Sequence, residues 1–151
     1  MRSDVTIQFV LAGEEDRAWL SDLRREAYRS LVLRTFGNFD ERRHQRHCDE
    51  TWSRGNVRLV LAGGDRCGML QTEQRTSTLQ IHEIQLLPRA QKQGLGTRLL
   101  EEVKEQARRS DLAVTLDVAH LNHEARRLYE RLGFVRTGIS PTHYLMRWKP
   151  R

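Results

Sequence analysis

The sequence predicts an α/β protein, and three observations support this fold class. Short strand-like runs are interleaved with segments whose apolar residues have helical spacing. A glycine turn, Gly63-Gly64-Asp65, separates two of the strand-like runs and indicates a hairpin. The region Leu86–Leu100 reads as an apolar strand end, a polar loop with the pattern Gln91-x-x-Gly94-x-Gly96, and a helix with apolar periodicity.

The first half of the chain is predicted to contain a strand, two helices and a hairpin. The first helix places Trp19 and Leu23 at helical spacing after an acidic first turn. Gly37-Asn38 interrupts this helix, and Asp40 is in a position to cap the next one. The predicted elements are the strand Thr6–Val10, the helix Glu14–Tyr28, a helix from Asp40 to about Trp52, and the strands Val57–Ala62 and Cys67–Thr72.

The second half is predicted to alternate strands with helices and to end in a hairpin. Leu79–Leu87 is apolar on parts of both faces, which is typical of a central strand. The helix Gly96–Ser110 carries an apolar stripe on one side, formed by Leu99, Leu100, Val103 and Ala107. The other predicted elements are the strand Ala113–Val118, the helix Asn122–Leu132, and the strands Phe134–Ile139 and His143–Trp148.

Length and composition indicate a single domain without a membrane span. The chain has 151 residues and a mass of 17.7 kDa, which is enough for one sizeable core. No apolar run has the length that crossing a bilayer requires, and no secretory signal is visible before the first strand. Cys48 and Cys67 lack C-x-x-C spacing, so we expect reduced thiols in a cytoplasmic protein.

The formal net charge of +6 and the sequence pI near 10.0 are reasons to consider nucleic-acid binding. The basic residues are scattered, however, and many lie beside acidic residues. No basic run carries interleaved aromatic residues. Solvated helix faces account for most of this charge, and a local excess at Arg89, Lys92 and Arg98 would suit a ligand with phosphates. Nucleic-acid binding is therefore a minor alternative.

The glycine-rich loop is a candidate anion-binding site. Glycines let backbone N–H groups approach a ligand closely, and the start of the following helix favours negative charge. A dinucleotide fingerprint would need a third glycine where Leu99 stands, and a P-loop would need a lysine before Thr97. The alternatives that remain are a plain surface turn and a site for a different phosphate-bearing ligand.

The pattern Gln91-x-x-Gly94-x-Gly96 resembles the acyl-CoA loop of the GNAT superfamily of N-acetyltransferases. At the usual distance further along, Asn122-x-x-Ala125-x-x-Leu128-Tyr129-Glu130-x-x-Gly133-Phe134 resembles the second signature of that superfamily. The resemblance covers residues 57–148. It implies the GNAT fold, in which a mixed, twisted central sheet of about seven strands carries helices on both faces.

The resemblance also implies acetyl-CoA as cosubstrate. Backbone N–H groups of the loop would bind the pyrophosphate. Backbone groups at Leu86 and Leu87 would contact the pantetheine arm, and one N–H there would polarise the thioester carbonyl. Asn122 is expected to contact the arm, to cap its helix, or to do both. The expected cofactor-binding residues are Leu86, Leu87, Gln91, Gln93, Gly94, Leu95, Gly96, Thr97, Asn122 and Tyr129.

Two residues are candidates for the proton transfers that acyl transfer to an amine requires. Tyr129 matches the superfamily tyrosine that protonates the departing thiolate, and the alternative is a core aromatic residue. Glu83 lies in an otherwise apolar strand, where a carboxylate is costly unless it is paired or faces a cleft. The superfamily often places a basic glutamate on this strand, and the alternative is a structural ion pair.

In this superfamily the N-terminal region shapes the acceptor site, so we expect residues 1–56 to form an acceptor-side region of the single domain 1–151. Aromatic residues together with carboxylates would suit a cationic amine, although each residue also has a structural alternative. The candidate substrate-binding residues are Tyr28, Phe36, Asp40 and Glu41. His44, His47 and Cys48 lack a fourth ligand, so no metal is expected.

These observations predict an N-acetyltransferase that moves an acetyl group from acetyl-CoA to a primary amine by direct transfer in a ternary complex. The acceptor is a small molecule or a protein. The alternative is a non-catalytic acyl-CoA-binding module that acts as a sensor or partner. An exposed Trp148 and the hairpin before it favour a homodimer through the final strands or helices, and a membrane partner is not expected.

Overall fold

The structure is a computed structural model that describes residues 5–91 and 93–151. Lys92, one of the residues predicted to suit phosphates, lies outside the described residues. The strands are β1 (Ile7–Leu11), β2 (Val57–Ala62), β3 (Asp65–Gln74), β4 (Thr78–Leu86), β5 (Ala113–Ala119), β6 (Val135–Ile139) and β7 (His143–Trp148). The helices are α1 (Arg17–Phe36), α2 (Glu41–Arg54), α3 (Leu95–Arg109) and α4 (His123–Arg131), with short 3-10 helices at Glu14–Asp16 and Pro88–Ala90.

The strands form one mixed sheet in the order β1-β2-β3-β4-β5-β7-β6. The β4–β5 pair is parallel, whereas β1–β2, β2–β3, β5–β7 and β6–β7 are antiparallel. The predicted α/β class and the mixed sheet of seven strands are therefore confirmed. Among the described residues, no helix is both long enough and apolar enough to cross a membrane.

The chain divides into two compact units, which we call the N-terminal unit and the C-terminal unit. The N-terminal unit consists of Met1–Gln71 and Glu83–Gln93, and the C-terminal unit consists of Thr72–His82 and Gly94–Arg151. β3 and β4 contribute residues to both units. The single domain with a boundary after residue 56 stays a prediction.

The N-terminal unit has a small apolar core beneath its two helices. Leu23 of α1 packs with Val57, Met69 and Leu87, and partly buried residues surround this cluster. The partly buried residues are Ala12, Trp19, Leu20 and Trp52. The core therefore joins α1 and α2 to β2, to β3 and to the residue that follows β4.

In the N-terminal unit, one residue fixes the start of α2 and another fixes the end of α1. Asp40 caps α2 by accepting hydrogen bonds from two backbone N–H groups of its first turn, as the sequence predicted. α1 ends at Gly37, which has φ 82°. The prediction ended α1 at Tyr28, which is too early. Apolar residues continue beyond Tyr28 at Leu31 and Phe36, and no glycine or proline interrupts the helix before Gly37.

The C-terminal unit is built around α3 and the strands β5 and β7. The predicted stripe of α3 is buried and includes Leu99 and Leu100, both 0% exposed. α3 begins at Leu95, one residue before the predicted start. The registered pairs of β4 with β5 join Thr78–Gln80 to Ala113–Thr115, and β4 continues beyond them to Leu86.

Trp148 is buried, which corrects the expectation that it is exposed. Trp148 is only 8% exposed. The Lys104 ammonium lies 5.1 Å and the Arg108 guanidinium 5.2 Å from the ring centroid. The basis for expecting a homodimer through Trp148 is therefore wrong, because the ring packs against its own chain.

Candidate active site

The glycine-rich loop leads directly into the start of α3. Gly94 is the residue before the helix and has φ 79°, a left-handed conformation that residues with a Cβ rarely adopt. The first helical hydrogen bond here runs from Arg98 N to Gly94 O, at 3.1 Å. The preceding N–H groups of Leu95, Gly96 and Thr97 have no carbonyl one turn earlier in the helix. These donors and the helix dipole make this segment suitable for an anion.

The two glutamine side chains of the loop bond to the chain itself. Gln91 Nε2 donates to the carbonyl of Leu86 at 2.9 Å, and Gln93 Nε2 donates to the carbonyl of Arg89. Gln91 thus connects the loop to the end of β4. Any ligand in this region would therefore meet the backbone of the loop more readily than these two side chains.

The end of β4 has side chains bonded to the carbonyls of alternate residues. Tyr28 Oη donates to the carbonyl of Ile84 at 2.8 Å, and Gln91 occupies the carbonyl of Leu86. Leu87 N–H donates to the carbonyl of Cys67 in β3, at 2.8 Å. Because peptide groups alternate along a strand, the Leu86 N–H faces away from β3. Leu86 N–H, rather than Leu87 N–H, is thus the donor that lies on the outer edge.

β3 and β4 approach each other unusually closely at Gly68. A Cβ added to Gly68 would lie 2.2 Å from the backbone oxygen of Gln85, so no larger residue fits. This glycine lies outside the recognised motifs.

Tyr129 and Asn122 belong to α4 in the C-terminal unit. Tyr129 is 6% exposed, and its ring packs against Phe134 with the centroids 5.9 Å apart. Asn122 Oδ1 accepts a hydrogen bond from Ala125 N at 3.3 Å, which confirms that it caps α4.

Glu83 of β4 bonds to two side chains within the N-terminal unit. His47 Nε2 of α2 bonds to Glu83 Oε1, and Gln85 Nε2 donates to Glu83 Oε2 at 3.3 Å. Burial raises the pKa of the Glu83 carboxyl. The hydrogen bond and charge of His47, the Gln85 bond and the charge of Arg24 outweigh that effect, so the pKa is lowered from 4.5. Glu83 is therefore an ionised acceptor, and the His47 ring donates to it from Nε2.

Buried His44 has a defined tautomer. Arg24 Nη1 lies 2.7 Å from His44 Nδ1, and since a guanidinium only donates, Nδ1 is the acceptor. Nε2 then carries the proton and lies 3.0 Å from Ser21 Oγ. Burial lowers the pKa of His44, and the charges of Arg24 and Arg25 lower it further. His44 is therefore neutral, and its ring cannot offset the charge of Arg24.

Cys48 lies beside His44 but has the properties of an unreactive thiol. Cys48 Sγ is 3.7 Å from His44 Nε2, the nitrogen that carries the proton. Burial raises the pKa of the Cys48 thiol. The described residues contain no group of three or more His, Cys, Asp or Glu side chains placed to hold a metal ion.

The four predicted substrate-binding residues all have partners in the structure. Glu41 forms a salt bridge with Arg25 at 2.9 Å, and Asp40 caps α2. Phe36 is 48% exposed and lies beneath the Arg43 guanidinium. Tyr28 bonds to the end of β4. Their role in binding an acceptor stays a prediction.

A cavity of about 380 Å³ lies in the N-terminal unit, where α1 and α2 cover the strands. None of the four residues predicted to bind substrate lines it. Its lining combines apolar side chains with polar ones from α1, α2 and the end of β4. The polar residues that bear on the chemistry are Arg24, His47 and Gln85.

Sequence reasoning did not identify the partners of Glu83. His47 is separated from Glu83 by 36 positions, and this contact depends on how α2 packs. A usable signal was present, because His44, His47 and Cys48 recur at helical spacing on one face of α2. That spacing indicates a shared face of α2, but it does not identify Glu83 as the residue that this face meets.

The mixed sheet and the loop before α3 define an α/β protein with a segment suited to an anion at a helix start. The chain belongs to the acetyltransferase (GNAT) family, which matches residues 18–134. The match includes α1 and α2, where the sequence showed no motif. Family membership supports acyl-CoA-dependent acyl transfer as the general activity.

Solved structures show the same fold at low sequence identity. The PaiA N-acetyltransferase from Thermoplasma acidophilum, in complex with coenzyme A, has a TM-score of 0.76 and 16% identity, covering 96% of this chain and 99% of that one. An acetyltransferase from Thermus thermophilus has a TM-score of 0.76 and 15% identity, covering 96% and 97%. The ribosomal-protein alanine N-acetyltransferase of Escherichia coli has a TM-score of 0.69 and 17% identity, covering 95% and 94%. No curated protein sequence matches the chain.

Proposed function

We propose that the protein is an N-acetyltransferase that transfers an acetyl group directly from acetyl-CoA to a primary amine in a ternary complex. The observation that carries the proposal is the left-handed Gly94 immediately before α3, within the residues that match the family. The N–H groups of Leu95, Gly96 and Thr97 would bind the pyrophosphate. Arg98 Nη1, in the same first turn, is buried and has no hydrogen-bond partner in the described part of the chain.

The end of β4 would hold the pantetheine arm and polarise the thioester. Leu86 N–H is the proposed donor to the carbonyl oxygen, because Leu87 N–H already donates to Cys67. Negative charge develops on that oxygen when the amine attacks, so a fixed donor stabilises the transition state. Gln91 supports this edge through its bond to the Leu86 carbonyl.

The pair formed by His47 and Glu83 would accept the proton of the amine. An alkylammonium group has a pKa of about 10.4 and must lose a proton before its nitrogen can attack. His47 bonds to the ionised Glu83 through Nε2, and in the tautomer that donates from Nε2 the ring has a lone pair at Nδ1. Glu83 would orient this ring and stabilise its protonated form, as carboxylates do in other acid–base pairs.

The chemical step conserves atoms and charge. The amine nitrogen bonds to the thioester carbon, the C–S bond breaks, and the thiolate leaves. The nitrogen releases a second proton to solvent as the amide forms, and solvent returns a proton to Tyr129 after that residue has protonated the thiolate. Tyr129 would donate its phenolic proton to that thiolate, for which a group with an unperturbed pKa of about 10 is suited. Its place in the family signature supports this role.

Thermal unfolding with acetyl-CoA, CoA, NAD or ATP tests the binding part of the proposal. A ligand that binds only the folded state stabilises it by about 2.7 kcal/mol when its concentration is about 100-fold above Kd. We expect the midpoint to rise with acetyl-CoA and CoA but not with NAD or ATP. A midpoint unchanged by saturating CoA would contradict the proposal.

A matched pair of glycine variants tests the loop. Gly94→Val places a β-branched residue at φ 79°, and Gly37→Val does the same at φ 82° at the end of α1. An added Cβ meets nothing within 4 Å at either site, so both variants carry a similar backbone strain of about 1–2 kcal/mol. We expect Gly94→Val to lose CoA binding by calorimetry and Gly37→Val to keep it. Equal losses would contradict the assignment of the loop.

Release of CoA thiol in the presence of amines tests catalysis. Tyr129→Phe is expected to lower kcat by about 10²–10⁴-fold while CoA binding persists. Binding of acetyl-CoA without turnover on any amine would instead identify a non-catalytic acyl-CoA-binding module.

A further inference from the structure

The cavity of the N-terminal unit contains one guanidinium group without a matching carboxylate. Arg17, Arg24 and Arg25 all line it. Arg17 is paired with two carboxylates at 3.1 and 3.0 Å, and Arg25 with two at 2.8 and 2.9 Å. Among the described residues, Arg24 has no carboxylate oxygen within 4.0 Å. Its closest polar partner is the neutral ring of His44.

This arrangement leaves a positively charged side chain without a carboxylate partner in the lining of the cavity. Arg24 is half-buried, and an unpaired charge removed from water is costly. The charge of Arg24 also helps to lower the pKa of Glu83. The Glu83 oxygens, however, are bonded to His47 and Gln85. A ligand with a carboxylate group would supply the missing partner, in the bidentate geometry that guanidinium groups favour.

Another part of the lining is apolar. It consists of Leu20, Trp52, Val57 and Met69. These side chains extend from the small core beneath α1 and α2. An aliphatic group placed against them would be removed from water, which is favourable. The cavity therefore offers a charged site and an apolar site within one cleft.

The cavity also contains the proposed proton acceptor. His47 lines it, and His47 is bonded to Glu83. A volume of about 380 Å³ is near the lower end of the range of small-molecule sites, about 300–1,000 Å³. The space therefore suits a compact molecule that carries an amine for His47, an anion for Arg24 and an apolar group for the remaining lining.

We infer that the acceptor is a free α-amino acid with an apolar side chain and that its carboxylate binds Arg24. This inference rests on the proposed N-acetyltransferase function. It differs from the prediction of a purely cationic amine bound by carboxylates and aromatic residues. Asp22, the carboxylate in the lining of the cavity, is already paired with Arg25 at 2.8 Å.

The test compares acceptors that differ by one group. L-leucine and 3-methylbutylamine share the amine and the aliphatic chain, and only L-leucine has the carboxylate; putrescine supplies a dication. CoA thiol release gives kcat/KM for each compound at saturating acetyl-CoA. We expect L-leucine to exceed 3-methylbutylamine by about 10- to 100-fold, as one charge-assisted pair provides, and putrescine to be poorest.

Variants of Arg24 provide the second arm. Arg24→Gln is expected to reduce the ratio of kcat/KM for L-leucine to that for 3-methylbutylamine toward one, and Arg24→Lys to keep part of it. A ratio does not depend on how much enzyme is folded, so a partly unfolded variant still gives an answer. Arg29→Gln is the control, because Arg29 is exposed and stacks on Phe39 at 5.2 Å outside the cavity lining. It should leave the ratio unchanged.

The outcomes separate the inference from the proposed function. Equal or faster turnover of 3-methylbutylamine or putrescine would overturn the inference and leave the acetyltransferase proposal intact. If no amine is turned over, calorimetry of L-leucine with the enzyme saturated with CoA decides. Binding that Arg24→Gln weakens would support the amino acid site, and no binding would overturn it. Failure of CoA itself to bind would overturn the proposed function.

Discussion

Two histidine–glutamate pairs, one in each unit, show how burial changes the effect of a histidine on the ionisation of its carboxylate partner. In the N-terminal unit His47 bonds to Glu83, and the side chains are 37% and 13% exposed. In the C-terminal unit His82 Nε2 lies 2.7 Å from Glu73 Oε1, and the side chains are 16% and 48% exposed. The carboxylate is the more buried partner in the first pair and the more exposed partner in the second.

This difference decides what holds each carboxylate ionised. Burial would raise the pKa of Glu83, and His47 is the main group that reverses this. Hydrogen bonds from His82 and then Arg75 lower the pKa of exposed Glu73, where water would solvate the charge in any case. The ionisation of Glu83 therefore depends on His47, whereas Glu73 would stay ionised without His82.

The largest expected difference is in catalysis. Glu83→Gln removes the negative charge that orients and stabilises His47, so kcat should fall by about 10²–10⁴-fold. Glu73→Gln, the matched change in the other pair, should alter kcat by less than about twofold. Thiol release with saturating acetyl-CoA measures both. Similar activities of the two variants would mean that the buried pair takes no part in proton transfer.

The pH dependence sharpens the same comparison. His47→Gln removes the main group that lowers the pKa of Glu83, so burial then dominates and that pKa rises. Stability from ionised Glu83 is present above its unfolded pKa and is lost as pH falls through its folded pKa. In His47→Gln the folded pKa lies above the unfolded one, so the sign reverses, and the free energy of unfolding should rise as pH falls through the folded pKa. Denaturant unfolding between pH 3 and pH 7, on the order of the range over which carboxyl groups titrate, measures it.

The control for this experiment is His82→Gln. Because Glu73 is exposed and also bonded to Arg75, the pH dependence of the unfolding free energy should stay close to that of the unaltered protein. A shift as large as that of His47→Gln would show that the difference in burial has no energetic consequence.

The smallest expected effect concerns the helix caps, one in each unit. Asn122→Ala removes the cap of α4 and should lower the free energy of unfolding by about 1 kcal/mol, independently of pH. Backbone N–H groups of Arg42 and Arg43 lower the pKa of Asp40, so the contribution of its charge is lost as pH falls below its ordinary value of 3.8. Asp40→Asn should keep the cap and remove this dependence. Weaker CoA binding by folded Asn122→Ala would add a ligand contact to its capping role.

The sequence predicted the elements because their signals are local. Asp40 is followed at once by the N–H groups it caps, and Gly94 lies directly before the helix that it starts. The class of fold followed from the order of such elements. The motif residues of the C-terminal half could likewise be recognised from spacing alone.

The partners in the N-terminal unit could not be predicted in this way. The contacts of Glu83 with His47 and of Arg24 with His44 join β4 to α2 and α1 to α2. Which polar groups meet depends on helix packing, and residue spacing does not specify it. The prediction that Trp148 is exposed was wrong for a related reason, because Lys104 and Arg108 of α3 cover its ring.

The distribution of the three tryptophans gives the protein an internal optical reporter. Trp52 lines the cavity, whereas Trp148 is buried in the C-terminal unit and Trp19 lies beneath the Arg66 guanidinium at 5.0 Å. A molecule that enters the cavity would replace water around the Trp52 indole and change its emission. With Trp52→Phe as the blank, intrinsic fluorescence would follow occupancy of the cavity in real time without a label or turnover.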